Sequence, residues 1–218
     1  MNGIYNADGR AVMLAMIKAI QENGQYLGDI DGLIGDGDHG ANMSKGFGIY
    51  KERLGDGMVS LSDGLYELGS VLMNRIGGSM GPLYGSMFMA MSDETADKEL
   101  IDAEVFSAML RAGLDGIYEL VEARPGDKTI VDTLYPAVCA AEKAQSGGES
   151  FFDLLEAVKD AASAGAQSTK EMTAKYGRAS RLGERSRGVL DAGAVSCSII
   201  ICAMADAMQK LLGKQGGC

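Results

Sequence analysis

Tryptophan is absent from this 218-residue chain, histidine occurs once and proline only three times. So little proline leaves few obligatory breaks in the backbone and favours helices. Positive charge is in deficit: 20 Lys and Arg against 30 Asp and Glu leave a formal net charge of −10. That excludes a general nucleic-acid binder, which needs a basic face to neutralise phosphates, and any phosphate must be met locally. Cys139, Cys197, Cys202 and Cys218 show neither C-x-x-C spacing nor a paired framework, so they are expected as reduced thiols, mostly filling the core. The N-terminus has no basic segment followed by an apolar one, and no apolar run reaches the roughly 18 residues of a membrane span. The expectation is a cytoplasmic protein with neither membrane nor nucleic acid as partner.

What the chain has instead is glycine and methionine, 31 and 14 residues. Its length suits a single domain over residues 1–218 with a continuous core. Apolar residues recur at three- and four-residue spacing, the helical period, and strand-like alternation is scarce. The pattern predicts eight helices, over 7–27, 40–53, 60–76, 79–92, 102–123, 128–145, 151–174 and 192–212. Asp8, Ser60, Asp102 and Asp127 stand where caps are needed, and Ser146-Gly147-Gly148 is a turn. Glycine-rich interruptions fall at 35–40 (GDGDHG), 77–81 (GGSMG), 126–129 (GDKT) and 177–193. In an antiparallel bundle such loops gather at one end, where helix N-termini present free N–H groups to anions.

The first interruption is the densest in chemistry. Asp29, Asp31, Asp36 and Asp38 lie within ten residues, followed by His39, Gly40 and Asn42. Carboxylates so close repel unless a cation offsets them, and hard cations with oxygen ligands are the candidates. A solvated acidic loop and a metal site are both open from the carboxylates alone; Gly35, Gly37 and Gly40 tilt the balance, because they permit a backbone tight enough to fold the acids inward. Three familiar loops are excluded. No strand precedes Gly35-x-Gly37-x-x-Gly40, as a dinucleotide fingerprint requires. An EF-hand begun at Asp36 would place Phe47 at its twelfth, ligating position. GDKT lacks the glycine before Lys128 that a Walker loop carries. Magnesium bridging carboxylates to a phosphate remains. The Gly77 to Pro82 stretch can offer N–H groups and the Ser79 hydroxyl to phosphate oxygens, or be a glycine turn with close helix packing. Arg178, Arg181, Arg185 and Arg187 crowd ten residues of an acidic chain. Arg178 is the phosphate candidate, Arg181 and Arg187 a solvated or partner-facing surface. For the single histidine, a capping, nucleotide-contacting or structural role is open.

Read together, D-G-L-I-G-D-G-D-H-G-A-N-M at 31–43, G-G-S-M-G-P-L-Y-G at 77–85, P-G-D-K-T at 125–129 and G-R-A-S-R-L-G-E-R-S-R-G with D-A-G-A at 177–194 resemble the L subunit of dihydroxyacetone kinases. The same domain resembles the nucleotide half of ATP-dependent dihydroxyacetone kinases and of fatty acid kinase. The resemblance implies an all-α barrel of eight antiparallel amphipathic helices with the nucleotide site at one end. It implies that Asp31, Asp36 and Asp38 hold two Mg2+ ions on the phosphates of ADP or ATP. By the same carry-over, His39, Gly40, Ala41 and Asn42 contact the nucleotide, as do Ser79 and Met80 by their backbone, while Ile130 touches the adenine region, and Arg178 with the loop Asp191, Ala192 and Gly193 closes the site. Family members read G-H-x-D-P-G-A where this chain has Val189 and Ala192 in place of the histidine and proline. The implied activity is phosphoryl transfer to dihydroxyacetone held on a separate K subunit, with a phosphotransferase-system protein as phosphodonor; a homodimer is compatible with it. The alternatives are a subunit of an ATP-dependent ketose or tetrulose kinase and a non-catalytic nucleotide-sensing module.

Overall fold

The computed structural model describes residues 3–215, so Cys218 lies outside the described residues. Eight α-helices make up most of these: α1 (Gly9–Ile34), α2 (His39–Leu54), α3 (Leu61–Arg75), α4 (Met80–Thr95), α5 (Ala103–Tyr118), α6 (Val131–Ser146), α7 (Phe151–Ser168) and α8 (Ala192–Gln215). Each packs on the next, and α8 packs back on α1, so the order of contact closes into a circuit. Inside it lie the apolar residues that recur at helical spacing, among them Val12, Met16 and Ile20 of α1, Leu65, Leu68 and Leu72 of α3, and Met204 and Met208 of α8. Each such side chain taken from water contributes roughly 1.5–3 kcal/mol. Phe47, Phe88 and Tyr84 continue the core towards one end of the helices, with ring centroids 6.5 and 6.1 Å apart along that chain.

The opposite end holds the only strands among the described residues, β1 (Gly3–Tyr5) and β2 (Leu100–Asp102), antiparallel with Ile4 opposite Ile101. Asn6 ties this end together. Its buried side chain donates to the carbonyls of Thr95 and Lys98 at 2.9 and 2.8 Å and accepts from Ser62 N at 3.1 Å.

Several boundaries differ from the sequence reading. The first helix, expected to end at 27, runs on to Ile34, because Gly28 and Gly32 stay helical where the turn at Gly37 packs against them. The helix expected over 128–145 starts only at Val131, and the stretches 119–123 and 169–174 leave the helices expected there. Ser60 and Asp102 cap α3 and α5 as expected. Asp8 makes no capping bond, since a 3-10 turn over Asn6–Asp8 feeds α1 directly. Asp127 caps no helix either; its carboxylate accepts from Arg124 N at 2.8 Å and pairs with Lys175. Cys197 is buried in the core, whereas Cys139 and Cys202 are half-buried, and all three are free thiols.

Helix α8 corrects a further expectation. Ala192–Gly213 is long and apolar enough by length and composition to cross a membrane, although half of that window is buried within the fold. Uninterrupted runs miss it because Asp206 breaks the stretch. Its apolar character follows from packing on α1, α6 and α7 together.

Candidate functional site

An up-and-down chain of helices places the start of every even-numbered helix at the same end. Residues at the starts of α2, α4, α6 and α8 line one cavity of about 240 Å³, with the last turn of α1 and the Tyr176 to Ala179 stretch completing its wall. The positive ends of helix dipoles and unbonded N–H groups converge there, which favours an anion.

The acidic face of the cavity comes from the extension of α1. Asp31 sits in its last turn, and its main-chain oxygen accepts from Gly35 N at 2.5 Å. Gly37 then turns the chain with φ 77°, a conformation costly for other residues. The turn returns Asp36 and Asp38 to Asp31, so that one oxygen from each carboxylate lies within 4.8 Å of the others. Three oxygen donors, Asp31 half-buried and Asp36 and Asp38 exposed, suit a hard divalent cation with phosphate oxygens filling the remaining positions. Asp29 is not among them; it accepts from Gln25 one turn back along α1. Arg178 reaches over from the far wall and places its guanidinium 2.7 Å from Asp36 Oδ2.

His39 opens α2 behind the carboxylates. Its ring Nε2 lies 2.8 Å from Ser196 Oγ, which also bonds the Tyr84 hydroxyl at 2.6 Å, and the main-chain oxygen of Gly193 accepts from this pair at 3.1 Å. Burial lowers the imidazole to about 4 against the opposing pull of Asp31, so it is neutral at pH 7. The network locks α2, α4 and α8 together at the cavity floor. Sequence reasoning missed Tyr84 and Ser196; Tyr84 stood inside the quoted GGSMGPLYG stretch, one turn after Met80.

The GDKT stretch acts through residues other than Asp127. Asp132, in the first turn of α6, accepts from Gly126 N at 2.5 Å and Thr129 N at 2.7 Å, folding the loop back over the helix start. Between them Lys128 adopts φ 61°, the positive φ of a non-glycine residue that stands alone among the described residues. Its buried ammonium donates to the carbonyls of Thr169, at 2.6 Å, and Val189. Asp191 caps α8 by accepting from Ala194 N at 2.8 Å, and burial raises its carboxyl to about 6. Sequence reasoning missed Lys128 and Thr129 as lining residues; a lysine that survives in a loop otherwise built of turn residues was the available signal.

The cavity therefore brings together Asp31, Asp36, Asp38, His39, Asn42, Ser79, Met80, Ile130, Arg178, Asp191, Ala192 and Gly193. Gly40 and Ala41 are not part of its lining. Ala41 faces solvent, while Gly40 is buried against α1, where a Cβ would stand 1.9 Å from Gly24 O. Gly40 thus stands at a helix crossing too close for any side chain. The second glycine stretch divides between the cavity and helix packing. Gly77 and Gly78 line the cavity, and Gly81 packs against the carbonyls of Ile76 and Leu72. Arg181 borders an adjoining hollow with Leu33 and Leu182, and Arg187 donates to Glu171 O away from the cavity.

The DAK2 domain pattern matches residues 33–206. The chain is 40% identical over 186 residues to the PEP-dependent dihydroxyacetone kinase 1, ADP-binding subunit DhaL, of Listeria innocua, covering 85% of this chain and 88% of that one. It is 40% identical over 182 residues to the PTS-dependent dihydroxyacetone kinase, ADP-binding subunit DhaL, of Lactococcus lactis, covering 83% and 86% respectively. Among solved structures it is similar in fold to the dihydroxyacetone kinase of C. freundii in complex with AMP-PNP and Mg2+, with a TM-score of 0.68 at 23% identity. That likeness covers 94% of this chain and 34% of the longer kinase chain.

Proposed function

The chain belongs to the DAK2 domain family, in its DhaL group, and from that premise we propose that it is the nucleotide-carrying subunit of a dihydroxyacetone-type kinase. The observation that carries this reading is the convergence of three carboxylates with the N-termini of α2, α4 and α8 on one cavity. Asp31, Asp36 and Asp38 have the donor chemistry to hold Mg2+, two ions by our reading, and bound there the metal supplies neutralisation of phosphate charge. The residues around them do the rest. Ser79 and Met80 offer backbone N–H groups to the phosphates, with Asn42 beside them on α2. Arg178 is placed to exchange Asp36 for a phosphate oxygen, and Ile130 packs against the base. Asp191 to Gly193 close the wall, and His39, held neutral by burial, orients the start of α2. Such a site acts by positioning and charge neutralisation, with no covalent phospho-residue of its own.

In this reading ADP stays bound as a coenzyme, a phosphotransferase-system protein rephosphorylates it, and the γ-phosphoryl passes to dihydroxyacetone on a separate K subunit. The names of the Listeria and Lactococcus relatives support this division of labour. We place the protein in the cytoplasm, without a membrane partner; self-association as a homodimer is compatible with the scheme. The test is to purify the protein without added nucleotide, denature it, and quantify released adenine nucleotide and magnesium. Near-stoichiometric ADP and magnesium, both lost in Asp36→Ala, are the expected result. An empty protein that binds neither ADP nor ATP overturns the reading, and one that binds ATP reversibly replaces the resident coenzyme with an exchangeable one.

A further inference from the structure

The buried ammonium of Lys128 has no part in the scheme above. We propose that Lys128 is a positioning residue of the nucleotide site: it fixes the segment from Thr169 to Asp191 against the start of α6, and so sets where Arg178 and the α8 N-terminus meet the ligand. The inference rests on the nucleotide-binding reading and adds a residue to it.

Lys128 is 1% exposed and donates to Thr169 O and Val189 O, near the two ends of that segment. Neighbouring bonds close the same two ends onto each other: Gly188 N to Lys170 O at 2.7 Å, and Asp191 N to Thr169 Oγ1 at 3.0 Å. The segment between them carries Tyr176, Gly177 and Arg178 into the cavity wall. A lysine suits the task because its ammonium has three donors on a flexible stem, whereas an apolar side chain would leave the part-buried Val189 carbonyl unpartnered and Thr169 O with Met172 N alone. Its left-handed backbone, clamped on both sides by Asp132, is retained only where the surroundings over-determine it. Burial disfavours the charged ammonium, and the charges of Asp191, Asp132 and Glu171 oppose that effect. The lysine thus links the cap of α8 to the turn of α6.

The experiment compares the whole wild-type chain with Lys128→Met and Lys128→Gly, the glycine variant keeping the left-handed backbone without strain. Amide hydrogen exchange is followed by mass spectrometry, and ADP affinity in the presence of Mg2+ by calorimetry. The expected result is at least tenfold faster exchange confined to the 169–191 segment, with ADP affinity weakened tenfold or more in both variants. A merely structural lysine would instead loosen α1 to α8 evenly, and that pattern overturns the proposal. So does ADP affinity within twofold of wild type in either variant. A wild-type chain that binds no ADP overturns the functional reading and this one with it, whereas wild-type binding with unchanged variants overturns this one alone.

Discussion

Asp191 joins three roles in one carboxylate: it caps α8, faces the charge of Lys128 and lines the cavity. Burial is the largest influence on it and raises its carboxyl to about 6 from the ordinary 3.8. A folded-state pKa above the unfolded one means that the native protein binds the extra proton between those values. The associated stability is fully present below about pH 4 and is lost as pH rises through about 6, with up to about 3 kcal/mol at stake for a shift of this size. Asparagine caps helices as well as aspartate does. Asp191→Asn is therefore expected to unfold at higher urea than wild type at pH 7.5, and to lose the advantage at pH 4. Urea titrations at the two pH values check this; a variant less stable than wild type at pH 7.5 would mean that the Lys128 charge outweighs burial. The acids at 31, 36 and 38 were legible as a cluster because they are close in sequence. The partial burial of Asp191 was not, because it depends on α6 and the 169–191 segment folding against it from elsewhere in the chain.

At the scale of elements, α1 and α2 cross so closely that Gly40 has no room for a side chain. The contact is with the main-chain oxygen of Gly24, which cannot move without bending α1. Gly40→Ala is expected to cost about 2–3 kcal/mol as an overpacking change. Because Asp38 and His39 immediately precede Gly40, the shift is also expected to weaken ADP binding severalfold. Thermal unfolding and calorimetry measure the two effects, and a variant that is destabilised yet binds ADP normally would show that the carboxylate turn moves independently of the helix crossing. Helix positions were legible from periodicity, which is a local signal. Their ends were less so: α1 passes through Gly28 and Gly32 because neighbouring packing overrides propensity. The change from proline to alanine at residue 192 is mild in these terms, since that position is the first of α8, where proline is favoured but not required. Val189, in place of the family's histidine, gives its carbonyl to Lys128, a bond that does not depend on the side chain.

On the scale of the whole molecule, the up-and-down circuit separates a ligand end from a stabilising end. Asn6 and the β1–β2 ladder hold one, and the starts of the even-numbered helices form the other. A ligand present at about a hundred times its Kd stabilises the native state by about 2.7 kcal/mol. For a chain of this size that corresponds to roughly 5–10 °C in Tm, so ADP with Mg2+ is expected to raise the melting temperature by that amount. Asn6→Ala removes the donor to the part-buried Lys98 carbonyl, one of two donors to the Thr95 carbonyl, and the acceptor for Ser62 N. Groups left unpaired in this way cost about 1–3 kcal/mol, so the variant is expected to melt several degrees lower, with or without ligand. Distant sites with no shared partners add to within about 0.5 kcal/mol, and the ligand-induced rise should therefore survive the substitution nearly unchanged. Differential scanning calorimetry of both proteins, with and without ADP and Mg2+, supplies the four melting temperatures. If Asn6→Ala halved the rise, the two ends would be coupled through the helices, and the cavity would depend on the ring as a whole rather than on the loops that line it.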